Sequence, residues 1–195
     1  MTTTDTINRP PTLRRGMAFA LLAGITWALA ATAGAVVPTP EVEGPISSSA
    51  GAFITPPIAF DLAPGGYLEE EFYVSGTATA YTSADPLDSD GQWTAAPGDT
   101  AAYVTRILVR RPARRRKFNG TVVVEWHNVS GGLDAAPDWT YAHTLLMRNG
   151  FAWVGVSAQH EGVEGGGGSL GLNLSLKAVD PARYGSLAHP GDSFS

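Results

Sequence analysis

Apolar and polar positions alternate through LEEEFYVSGTATAY, residues 68–81, with Phe72, Val74, Ala78 and Ala80 on one side and Ser75, Thr77 and Thr79 on the other. Side chains of a strand point alternately to its two faces, so this period predicts a half-buried antiparallel strand. AYVTRILVRRP resumes the period, with Tyr103, Ile107 and Val109 sharing a face and Pro112 closing the run. Between them, Thr82 to Thr100 carries the turn pairs Asp85-Pro86, Asp90-Gly91 and Pro97-Gly98 and predicts a loop. The two strands then form a large hairpin at the antiparallel edge of a mixed sheet.

The period changes after Asn119-Gly120. TVVVEW, residues 121–126, is a β-branched run without Gly or Pro and predicts a strand buried on both faces. A polar loop follows, His127 to Asp138. Trp139, His143, Leu146 and Met147 then recur at helical spacing, which predicts a helix starting near Asp138, a residue suited to capping free amides, and stopping at Asn149-Gly150. FAWVGVS, residues 151–157, is a second buried strand. Strand, helix and strand make a right-handed βαβ crossover with parallel strands. Ligands of such sheets collect beyond the carboxyl ends of the strands, so chemistry is expected on the loop from His127 to Asp138. Further on, Gly165 to Gly168 suit a flexible loop, and Asp180-Pro181-Ala182-Arg183-Tyr184 a turn into a short helix.

At the other end, Arg9, Arg14 and Arg15 precede an uncharged run, Gly16 to Val37, that ends in small residues with Ala-x-Ala spacing at Ala31, Ala33 and Ala35. A positive start, an apolar middle and a small-residue exit describe an export signal cleaved near Ala33 or Ala35. The same run is long enough to span a bilayer uncleaved, a membrane tether through residues 16–37, and a buried helix of the folded domain is the third reading. Either of the first two exports the body of the chain, secreted or in the cell envelope. The chain therefore divides into a signal or anchor (1–35), a Pro-, Ser- and Gly-rich linker or peripheral segment (36–60), and an α/β domain (61–195).

Composition narrows the chemistry. Over 195 residues, 44% hydrophobic and 16% charged, the chain can bury one real core. Having no cysteine, it has no disulfide, no thiolate metal ligand and no cysteine nucleophile. A net charge of −5 makes nucleic acid an unnatural partner, and an anionic lipid surface one too for the body of the chain. Arg110, Arg111, Arg114, Arg115, Arg116 and Lys117 cluster against this balance. A phosphate contact and a solvated inter-strand loop both fit them, and the lack of interleaved aromatics favours the loop.

No G-x-S-x-G is present. Ser130 follows a strand, in VSGG, but Asn128 stands where an elbow needs glycine, so a nucleophilic Ser130 is the weaker reading. Asn128, Val129, Ser130, Gly131 and Gly132 suit a different task, that of backbone amides aimed at a developing oxyanion. The plain alternative is a tight turn with a capping serine. His127 and His160 are expected as walls of the adjoining pocket, and His143 as a packed helix residue. The histidines show neither HExxH nor H-x-H, so no metal and no cofactor is expected. His160-Glu161 could act as an acid-base pair only if adjacent residues oriented each other.

Five segments in order, GYLEEEFYVSGTATAY, YVTRILVRRP, FNGTVVVEWHNVSGGLDAAPDW, HTLLMRNGFAWVGVSAQ and DPARYGSL, resemble the amino-terminal half of a bacterial family known as alpha/beta hydrolase domain-containing proteins. The resemblance runs from roughly Tyr67 to the end. It implies an α/β-hydrolase fold, in which an antiparallel hairpin leads into parallel βαβ strands of a mixed sheet, and a serine hydrolase acting on a small ester-like substrate. It sets VVVEW on the strand before the oxyanion loop and HNVSGG on that loop. The elbow serine, the acid and the histidine of the family pattern fall beyond Ser195. The resemblance therefore implies an amino-terminal part of the fold, with about half of its usual strands, no triad residue and no catalysis by residues 1–195 alone. A secreted non-catalytic binding or scaffold module is the alternative from another class.

Overall fold

The computed structural model describes residues 38–47, 61–83, 85–167, 169 and 171–195. The expected leader, and much of the 36–60 segment, lie outside the described residues. Five strands form one mixed sheet in the order β1-β2-β3-β5-β4. The short β1 (Glu41–Glu43) lines the outer edge of β2 (Tyr67–Ser83), which pairs antiparallel with β3 (Ala95–Pro112). β4 (Val122–Trp126) runs parallel to β5 (Ala152–Val156), with Val122 opposite Ala152 and Trp126 opposite Val156. α1 (Pro137–Arg148) connects them, and β5 joins antiparallel to β3 from Ile107↔Val156 to Arg110↔Trp153. Among the described residues no helix is long and apolar enough to cross a membrane.

The hairpin is longer than the turn signals predict. Pro97-Gly98 lies inside β3, where the ladder shifts register opposite Thr79 to Tyr81. Such an irregularity, at the solvent-exposed end of the strand, tolerates a proline without an N–H and a glycine without a side chain.

α1 is capped from a distance rather than by Asp138. Its N-cap residue, Ala136, offers no side chain, and Asp138 lies inside the first turn. The buried carboxylate of Glu125 on β4 accepts from Asp138 N and from Trp139 N, each at 2.8 Å, and from Trp153 Nε1 at 2.9 Å. Two amides without intrahelical acceptors are thereby satisfied, and an anion sits at the positive end of the helix. At the other end Gly150, at φ +74°, releases the chain into β5.

α1 covers one face of the sheet through Leu108, Ala136, Trp139, Leu146 and Trp153. Burying side chains of this size contributes about 1.5–3 kcal/mol for each of the larger ones. The Arg110 guanidinium lies over both indoles, at 4.6 Å from Trp139 and 5.0 Å from Trp153, and its charge is met by Glu69 at 2.7 Å. A second cluster, Val163, Leu176, Tyr184 and Leu187, comes from the short helices α2 (His160–Val163), α3 (Leu176–Val179) and α4 (Pro181–Tyr184) with their flank, and packs on Tyr73 and Val104.

The buried face of the hairpin is not the one that the alternation marks. Phe72, Val74, Ile107 and Val109 are half-buried, whereas Glu71, Arg106, Leu108 and Arg110 are buried. Hydropathy misses this face because its charges neutralise one another, Arg110 with Glu69 beneath α1 and Arg106 with Glu71 beneath the short helices. β4 is likewise open on one face among the described residues, with Val122, Val124 and Trp126 exposed by 50, 67 and 57%, while Glu125 is buried.

Candidate functional site

The chain leaving β4 builds the site. His127 N donates to Val156 O at 3.0 Å, which carries the parallel ladder one residue past β4. Asn128 and Ala135 then exchange backbone bonds of 2.8 and 3.0 Å, folding residues 128–135 into a small hairpin beyond the strand ends. At its tip Gly132 N donates to Val129 O at 2.9 Å, and Gly132 has φ +73°, a conformation glycine adopts freely. Asn128 Oδ1 accepts from Ser130 N at 3.0 Å. The glycine-rich segment straps this tip from outside, with Ser169 N on Ser130 O at 3.0 Å and Leu174 N on Gly132 O at 2.9 Å. Among the described residues, the amides of Val129 and Gly131 are then the two of the 128–132 stretch without an acceptor.

A dry charge network lies beneath the loop. Asp134 Oδ2 accepts from Arg106 Nη2 at 2.5 Å, Ser157 Oγ at 2.6 Å and His127 Nδ1 at 2.9 Å, and solvent reaches none of the four residues. Arg106 Nε also donates to Ser157 Oγ at 3.0 Å, and its other arm lies 3.5 Å from Glu71. Glu71 in turn pairs with Arg183 and accepts from Tyr184 Oη at 3.0 Å. Burial pushes the Asp134 carboxyl up, but the attraction and hydrogen bond of His127, with Arg106 and Ser157, outweigh it and hold the group below the usual carboxylate range. Burial works against the Arg106 charge too, and Asp134, Tyr184 and Glu71 overcome it, so its pKa lies above the ordinary arginine value.

His127 stacks on Trp153 at 6.0 Å, and the approach is close enough that a side chain at Gly155 would collide with both rings. Solvent does not reach His127, so it is a support under the loop and not a surface of a pocket. Its partner is equally buried, and a buried carboxylate keeps its charge only with hydrogen-bonding partners, of which His127 is one beside Arg106 and Ser157. His160 keeps a partly exposed ring, with Nδ1 3.8 Å from Asp192 Oδ1 and its edge against His189 at 5.8 Å. The carboxylate facing it is thus that of Asp192 rather than of the adjacent Glu161. His143 bonds back to the helix carbonyls of Trp139 and Thr140 and touches the Trp139 ring.

Ser157, His127 and Asp134 meet, yet they are not arranged as a triad. The serine hydroxyl donates to the aspartate instead of the histidine, and it is fully buried. Sequence reasoning passed over Asp134, Ser157 and Arg106. The one available signal was an arginine placed centrally in the strand TRILV, where a charge is costly unless a buried partner waits for it.

On the other face, an apolar cavity of about 280 Å³ opens at the carboxyl ends of the same strands, lined among others by Tyr103, Ile107, Trp126, Val156, His189 and Phe194. Its histidine is fixed: His189 Nδ1 accepts from Gly191 N at 3.2 Å, which leaves Nε2 to donate to Ala158 O at 3.0 Å. Among the described residues no group of three or more histidines and carboxylates is placed to hold a metal ion.

Residues 42–195 match the family described as Alpha/beta hydrolase domain. No curated protein and no solved structure matches the chain.

Proposed function

Because the chain belongs to the alpha/beta hydrolase domain family, we propose that it serves in the hydrolysis of a small ester-like substrate by a serine mechanism, with the 128–132 loop as part of the oxyanion hole. In that reaction a serine Oγ bonds to the ester carbonyl carbon and the carbonyl electron pair moves onto oxygen. A histidine carries the serine proton to the departing alcohol as its C–O bond breaks, and water then releases the acyl group. The oxyanion needs donors that are already in place, because reorganising them at the moment of reaction would cost much of the gain.

The observation that carries this reading is the pair of amides without acceptors among the described residues, Val129 N and Gly131 N, at the carboxyl end of a parallel strand pair. Asn128 N, Ser130 N and Gly132 N are already spent inside the loop. The buried Asp134 network keeps that loop from collapsing, and the apolar cavity beside Trp126 receives the hydrocarbon part of the ester. Ser157 is excluded as the nucleophile by burial, and Ser130 has no histidine partner among the described residues. The reading places the domain outside the cytoplasm, on the support of the arginine-led apolar run 16–37.

Labelling the protein, as its host makes it, with a fluorophosphonate tests this. The expected result is a label on a serine other than Ser130 and Ser157, unaltered by Ser130→Ala. A label confined to Ser130 would transfer the nucleophile to the loop itself. No label at all would favour a binding or scaffold module.

A further inference from the structure

At the opposite end of the sheet from the loop, we propose a binding site for a phosphate-like anion, in a cleft of about 430 Å³ between the β3–β4 connection and the end of α1. Arg114, Lys117 and Arg148 line it, with Gly65, Gly66 and Gly150 among the backbone walls, and no acidic residue does. The 12 residues of α1 separate it from the 128–132 loop by roughly 18 Å at the usual helical rise.

The fold sorts the basic cluster of the sequence into three groups. Arg110 and Arg111 pair with Glu69 and Glu70, at 2.7 Å each. Arg115 and Arg116 are exposed and do not line the cleft. Arg114 and Lys117 do, and there they meet Arg148, which the sequence places far away. Among the described residues none of these three makes an ion pair with a carboxylate. Asp61 is the acid nearby, in an adjoining hollow that shares Arg148, and its carboxylate accepts from Ala63 N. In a chain of net charge −5, three exposed cations lining one cleft, with no carboxylate among its described lining, are a local inversion of the field.

The cleft is also held open by bonds of its own. Asn119 N donates to Gly150 O at 2.9 Å and Asn119 Nδ2 to Asn149 O at 2.8 Å, which ties the β3–β4 connection to the end of α1. Ala113 N donates to Gly66 O at 2.9 Å and fixes the third wall. The negative end of α1 opposes an anion with about half an elementary charge, against three full positive charges, so the cations prevail. Guanidinium forks suit the tetrahedral oxygens of a phosphate, and the volume leaves room for more than the phosphate alone. The group could be carried by a soluble metabolite or by a lipid headgroup, and one experiment separates the two.

The full chain is titrated with inorganic pyrophosphate by calorimetry, and floated with vesicles of phosphatidylglycerol in phosphatidylcholine or of phosphatidylcholine alone. Three proteins are compared: wild type, R114Q/K117Q/R148Q, and R115Q/R116Q, all surface changes away from the core. The apolar run 16–37 is the same in each, so it cancels. The expected result is saturable binding, weakened about tenfold or more in the triple variant and less than about twofold in the double variant, and declining with added salt. Pyrophosphate binding that follows this order assigns the site to a soluble phosphate. Capture by phosphatidylglycerol vesicles alone, in the same order, assigns it to a headgroup. Equal losses in the two variants would show diffuse charge attraction and overturn the proposal, as would no binding in either arm.

Discussion

His127 Nδ1 lies 2.9 Å from Asp134 Oδ2, and both side chains are shut off from solvent. The same oxygen receives Arg106 from β3 and Ser157 from the end of β5, so a single carboxylate fastens three strands to the loop that carries the candidate donors.

Asp134→Asn keeps the shape and removes the charge. It removes the 2.5 Å ion pair of the buried Arg106 guanidinium and leaves Glu71, at 3.5 Å, facing it. Breaking a buried pair in this way costs about 3–5 kcal/mol. Urea unfolding should show that loss, and a change below about 1 kcal/mol would mean that water or another group compensates the arginine.

Acid sensitivity follows from the same carboxyl group. Its folded pKa is lowered from the ordinary value of 3.8, so its contribution is complete above that pH and is lost as pH falls through the folded value. Wild-type stability is therefore expected to drop more steeply below about pH 4 than that of Asp134→Asn. Parallel acid limbs in thermal melts of the two proteins would contradict the assignment.

Glu125→Ala strands two helix amides and the Trp153 indole N–H together. With roughly 1–3 kcal/mol for each unsatisfied buried donor, partly relieved by water at the helix end, a loss of about 3 kcal/mol is expected. Glu125→Gln, which keeps one acceptor oxygen, should lose less. Equal losses from the two would show that the glutamate acts by filling space.

The hairpin, the parallel pair and the helix between them were legible because each rests on a local period, two for residues 68–81 and 3.6 for Trp139 to Met147. Helix ends at Asn149-Gly150 were legible for the same reason, since glycine's freedom is a local property. What the sequence hid was nonlocal. Glu125 caps a helix from 13 residues away, Arg106 finds Asp134 across 28, and Glu71 finds Arg183 across 112. No period records such pairings, and a hydropathy pattern scores their face as solvent. The 128–132 stretch was legible as a glycine-containing loop at a strand end, but the sorting of its amides into engaged and available required Ala135 O, Val129 O and Asn128 Oδ1 to be placed.

The most direct measurement replaces single loop amides by ester oxygens, through incorporation of hydroxy acids, and follows hydrolysis of a p-nitrophenyl ester by the protein as its host makes it. Removing the N–H of Gly131 is expected to lower kcat by about 100-fold or more, with KM within about threefold. Removing the N–H of Ser130, already spent on Asn128 Oδ1, should change kcat by only a few-fold. A kcat that survives loss of the Gly131 N–H, or falls as far with Ser130, would contradict the assignment of this loop to the oxyanion.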